Sequence, residues 1–140
     1  MTTTTATLAD RLRAWAKGMY TLEAGTELLI RQGKAIYEGA PWIHDDGERA
    51  WLDLDALLDG CGAWSGGQQR IVHLAASLMG EGRVNLAEEV TGLDREGLDL
   101  LLAAIAHAGG SHEHGGVEFG QDGQAHLVRH NALYPWPTDA

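Results

Sequence analysis

Cysteine is nearly missing from this chain: Cys61 stands alone among 140 residues. No intrachain disulfide can form, so the cysteine usage gives no sign of an oxidising compartment. Long apolar runs are missing too. The longest, residues 100–106, is far short of the roughly 20 residues that a membrane span needs. The opening Met1-Thr-Thr-Thr-Thr has neither the basic region nor the apolar stretch of a signal peptide, and a cytoplasmic location without membrane attachment is expected. Basic residues are scarce: 10 Lys plus Arg face 20 Asp plus Glu, and the only lysines are Lys17 and Lys34. The deficit is uneven. Residues 1–39 hold five bases and four acids, whereas residues 40–140 hold five bases and sixteen acids. Such a field repels phosphate backbones and anionic lipid and favours basic protein partners, so nucleic acid is disfavoured as a ligand.

What is present suits one globular domain. Apolar residues at 44% and charged residues at 21% exclude a disordered chain. Residues 1–6 have no periodicity and read as a disordered tail, leaving 7–140 as a single helical domain. Leu8, Leu12, Trp15 and Met19 recur on one helical face after Thr7. A second helix is expected over residues 21–32, with Thr21 as its cap and Gly33 as its stop. Residues 33–50 are turn-rich, and Asp53 can cap a short helix ending at Gly60 or Gly62. Ser65 and Gln68 form a capping box that opens a helix over residues 66–79, apolar on most faces and therefore placed at the centre. Asn85 and Glu88 form another capping box, starting a short helix that ends near Gly92. Asp94 caps the most apolar helix, with Leu98, Leu101, Leu102 and Ile105 along it and Gly109-Gly110 as its stop. Between 116 and 129 the period changes to two around Asp122-Gly123, the signature of a hairpin, and Tyr134-Pro-Trp-Pro137 is extended. The fold class is mainly α: five or six helices with a C-terminal β-hairpin.

Four patterns within this frame bear on function. Ser65-Gly-Gly-Gln-Gln-Arg70 with residues 85–94 resembles the signature and acidic segment of ABC-transporter ATPases. No glycine-rich loop ending in Lys and Ser or Thr accompanies it, and Ala87 stands where that family's metal-binding Asp would fall, so the segment is read as a helix start. Helices at 66–79, 86–91 and 95–108 followed by a hairpin resemble the winged helix-turn-helix order, which implies a nucleic-acid-binding regulator. The helix that would enter the groove begins Asp94-Arg-Glu-Gly-Leu-Asp99, with three acids and one base. Trp51-Leu-Asp-Leu54 and Arg83-Val-Asn-Leu86, each leading into helices, echo one another. This allows a paired helix-loop-helix arrangement in which the two extended pieces pair. Ser65 to Gln68, Leu74-Ala-Ala-Ser-Leu78, Thr91-Gly-Leu-Asp94 and residues 101–109 resemble uncharacterised actinobacterial proteins over roughly residues 65–110. That group has no established activity, so the resemblance implies a recurring fold and nothing catalytic.

Candidate site residues are few. His107, His112, His114, His126 and His130 lie within 24 residues of sequence. If residues 112–114 are extended, His112 and His114 share a face, and His126 and His130 with Glu113 or Glu118 could complete a site for a divalent metal such as zinc. The acidic turn at residues 44–48 fails the calcium-loop pattern, with Gly47 third, Arg49 fifth and Ala56 twelfth from Asp45. Cys61, Ser65 and Ser111 lack the neighbours of a nucleophile, so neither an enzyme nor a cofactor is expected. Trp15, Trp51 and Trp64 are expected to plug the core. Trp42 and Trp136, beside prolines, are expected to be partly exposed and to form a contact surface. The leading expectation is a non-catalytic interaction or assembly module that binds itself as a homodimer or binds a basic protein.

Overall fold

Polar side chains begin most of the helices in the computed structural model, which describes residues 6–138. Thr7 caps α1 (Leu8–Ala16) through a complete capping box with Asp10, and Asp53 caps α3 (Leu54–Gly60). The expected box of Ser65 and Gln68 opens α4 (Gly66–Leu78). Asn85 caps α5 (Leu86–Val90) by accepting from the Ala87 N–H, in place of the expected box with Glu88, and Asp94 caps α6 (Arg95–Ala108) by accepting from the Gly97 N–H at 2.7 Å. Each such bond satisfies an N–H that the helix itself leaves open. All but Ala6 of the tail expected at residues 1–6 lie outside the described residues.

The exception is α2 (Tyr20–Gln32), whose cap position is Met19 rather than the expected Thr21. The Glu23 carboxylate reaches back from inside the helix to accept the Gly18 N–H at 2.8 Å, so a side chain beyond the expected cap secures this end. The helix stops at Gly33, whose φ of +90° is the left-handed conformation that glycine adopts without strain.

The core also departs from expectation. Ile71, Val72, Leu74, Ala75 and Ala76 bury one side of α4, but α2 is the helix that packs against α1, α4 and α6 together. Ala24, Thr26, Leu28 and Leu29 are fully buried along it. The close crossing of α2 and α4 depends on Gly25, where a Cβ would lie 2.5 Å from Met79 Cγ and 2.8 Å from the Ala75 carbonyl oxygen.

The irregular segment 33–53 holds a small hairpin, β1 (Ile43–Asp45) with β2 (Ala50–Leu52), in antiparallel register His44 opposite Trp51. This overturns the paired helix-loop-helix arrangement: the Trp51 stretch pairs with residues 43–45, and residues 83–85 join no strand. Strand alternation turns Ala50 and Leu52 inward and Trp51 outward. Trp51 is therefore exposed and stacked on His44 at 4.0 Å, and is not a core plug. Trp42 is corrected the other way. It is 6% exposed, its indole N–H donates to the Ala35 carbonyl at 2.8 Å, and the Tyr37 and Trp64 rings approach it at 5.8 and 5.6 Å, edge to face. A partner for the N–H removes the cost of burying it, so Trp42 is core and offers no contact surface. Trp15 and Trp64 are half-buried against the same core.

Arg11 joins the small hairpin to α1. Its buried guanidinium donates to the Asp45 carboxylate and to the Ala6 carbonyl, each at 2.7 Å. After α6 the chain makes a 3₁₀ turn at Ser111–Glu113, then β3 (Gly115–Phe119) and β4 (Ala125–Arg129), antiparallel as expected and joined by a turn containing Gly123 at φ +75°. Among the described residues, six helices and this strand pair give the mainly α architecture with a C-terminal hairpin. No helix among the described residues is long and apolar enough to cross a membrane.

Candidate functional site

The β3–β4 hairpin presents one apolar face. Val117 lies opposite Leu127, and Phe119 opposite Ala125, so alternation brings all four to the same side. Val117 is 56% exposed, Phe119 76% and Leu127 92%. Among the described helices and strands, the hairpin's only substantial packing is strand on strand. Its apolar face is therefore uncovered, and each strand also keeps one unpaired edge. An isolated two-stranded hairpin is marginal in water, and stability normally requires more strands or a covering layer.

The apolar helix α6 is divided. Leu100, Leu101, Ala103 and Ala104 face the core, while Leu98, Leu102 and Ile105, at spacings of four and three, face outward and are exposed. Tyr134 comes back beside this row and donates to Asp99, so Leu98, Leu102, Asp99 and Tyr134 line one surface hollow. A helix apolar on both sides is ordinarily covered on both. Its cap is Asp94, and its first turn carries Glu96 beside the single base Arg95.

The histidines divide differently from the sequence expectation. Residues 111–113 form a 3₁₀ turn, so His112 and His114 do not share a strand face. His114, His126 and His130 are all exposed; His126 approaches Asp122 at 3.5 Å, and none of the three joins His112. His112 instead stacks on His107 with ring centroids 4.0 Å apart and planes within 10°. His107 Nε2 lies 2.8 Å from Glu23 Oε1. The donor atoms of Glu23, His107 and His112 all fall within 4.8 Å of one another. Glu23, in the first turn of α2, carried no sequence signal for this role, because it meets His107 only across 84 residues of chain.

Glu23 is held for its position by its other oxygen, which takes the Gly18 N–H. Partial burial pushes its carboxyl pKa up, but the Gly18 N–H and the His107 ring together pull it below the ordinary value, so it stays ionised. Tyr20 lies edge-on to His112 at 4.9 Å. Beside the pair is a cavity of about 270 Å³ lined by Arg13, Thr26, Glu27, His107 and Trp136 among others. Trp136 is half-buried as part of this wall, and so is partly exposed as expected.

The remaining candidates are structural. Cys61 is buried, donates weakly to the Leu58 carbonyl, and burial pushes its thiol up, away from the reactive thiolate. Asp45 and Asp46 turn their carboxylates onto the N–H groups of Gly47, Glu48 and Arg49, closing the turn. Ser65 serves its capping box, and Ser111 accepts from the Leu133 N–H. α4, α5, α6 and the hairpin follow one another along the chain in the order expected from the sequence. No family model, curated protein or solved structure matches the chain.

Proposed function

We propose that this protein is a non-catalytic, cytoplasmic protein–protein interaction module that assembles with a second copy of itself through the apolar face of the β3–β4 hairpin. The observation that carries the reading is the face itself, Val117, Phe119 and Leu127 exposed together on a hairpin that no other element covers. Three features favour a second copy as the occupant. An identical hairpin offers the same apolar face and the same free edges, which suits an isologous contact. It would also extend two strands towards the number that is stable in water. The charged residues in the hairpin and its turn are only Glu118, Asp122 and Arg129, a formal balance of one negative charge, so two hairpins bring little like charge together.

Light-scattering mass determination tests this directly. The wild type is expected at twice the 15.0 kDa chain mass, and Phe119→Asp with Leu127→Asp at the single-chain mass. Both positions are exposed, so the variant is expected to keep its helical signal. A wild type that stays at one chain mass at high concentration overturns self-assembly.

A further inference from the structure

We infer that Glu23, His107 and His112 form a site for a divalent cation of the zinc class, a site separate from the hairpin face. Two imidazoles and one carboxylate are a donor set that suits zinc, with a fourth position left for water. The three donors come from three elements, α2, α6 and the 3₁₀ turn, and each is positioned by something else. Glu23 is oriented by the Gly18 N–H, which leaves Oε1 for the site. A carboxylate ligand tied down by its second oxygen is a common outer arrangement of metal centres. Gly110, at φ +75°, bends the chain sharply after α6 and sets His112 on His107. The turn is fixed from the far side too, where the Leu133 N–H donates to the buried Ser111 hydroxyl.

A second observation points to a ligand. His112 Nδ1 is buried and has no hydrogen-bond partner among the described residues. Thr26 Oγ1, in the wall of the adjoining cavity, is likewise buried without a partner. A buried polar atom left unpaired costs about 1–3 kcal/mol, and such atoms in folded proteins are few. A cation bound at His112 Nδ1 would satisfy the first of them. Metal–donor distances of about 2.0–2.2 Å require the site to contract and one imidazole to leave the parallel stack, since a stacked ring aims its lone pair past its neighbour.

The test is calorimetric titration of the full chain with zinc alone, repeated with cobalt to read the visible bands of a tetrahedral site. One ion per chain is expected. His107→Ala and His112→Ala should each weaken binding by at least about tenfold and remove the cobalt bands. Glu23→Gln, which can still accept from Gly18, should weaken it without disturbing the fold. The triple variant His114→Ala, His126→Ala, His130→Ala should bind as the wild type does. No uptake by the wild type, or equal uptake after loss of His107 or His112 with helicity intact, overturns the site. Loss of binding in the triple variant alone overturns it as well and moves the metal to the hairpin.

Discussion

The guanidinium of Arg31 lies over the Trp136 ring, 5.1 Å from its centroid, and donates to the Pro137 carbonyl at 2.8 Å. Arg31 is held in that pose by Glu27, whose carboxylate also takes two hydrogen bonds from Arg13. One acidic side chain thus joins α1 to α2 and, through Arg31, to the C-terminal segment that walls the cavity beside His107. Cation–π contacts of this kind contribute about 0.5–2 kcal/mol. Arg31→Met is expected to lower stability by that order and to make Trp136 easier to quench with acrylamide, read against Trp136→Phe. Unchanged quenching would show that Arg31 does not hold the segment.

Gly25→Ala should be costly although alanine favours helices. Its methyl would meet the flexible Met79 side chain, which can move, and the Ala75 carbonyl, which can move only with its helix. Overpacking of this sort costs about 1–3 kcal/mol. Urea unfolding should show a lower midpoint with unchanged slope, and Gly25→Ala combined with Met79→Ala should recover only part of it. A neutral Gly25→Ala would contradict the close crossing of α2 and α4.

Acid should weaken the fold through two particular carboxylates. The hydrogen bond from Arg11, with the Gly47 N–H, holds Asp45 below the ordinary carboxylate range. Burial pushes Glu27 up, but hydrogen bonds and charge from Arg13 and Arg31 outweigh it, so Glu27 is lowered too. A lowered native pKa means that the unfolded chain binds protons first. The stabilisation is therefore complete above the ordinary carboxylate range and is lost as pH falls through that range and below it. Urea midpoints are expected to hold from neutrality to about pH 5 and to drop below it. Asp45→Asn and Glu27→Gln should each flatten the drop. A drop as steep in both variants as in the wild type would contradict this assignment.

Caps and stops were the most legible part of the chain. Asp53, Ser65, Asn85 and Asp94 act on N–H groups two or three residues away, so their geometry is written locally. The terminal hairpin was legible for the same reason, with its turn at Asp122-Gly123. Trp42 and Trp51 were misjudged because their burial is decided by elements distant in sequence. A proline neighbour says nothing of the Ala35 carbonyl that receives the Trp42 N–H, and Trp51 turns outward only once β1 sets its register. The histidines show the limit most clearly. Their crowding in sequence drew attention to His112, His114, His126 and His130, yet the fold brings only His112 to His107, and adds Glu23 from the other end of the chain. The uncovered row of α6 could not be told from core by spacing alone, since Leu101 and Leu102 look alike until α2 and α4 choose a side.

Salt separates the two kinds of protein partner. Two copies carrying a formal charge of −10 each repel one another, so added salt should tighten self-assembly by screening that repulsion. Binding to a basic protein would weaken with salt instead. Sedimentation velocity over a range of sodium chloride concentrations reads the sign.

Hydrogen exchange at the hairpin amides, followed as protein concentration is raised, tests the proposed interface where it is placed. Amides of residues 115–119 and 125–129 are expected to become more protected as chains pair, while those of α2 stay constant, and the Phe119→Asp, Leu127→Asp variant should show no such gain. Hairpin amides that exchange at the same rate across the whole concentration range would contradict the hairpin as the contact surface.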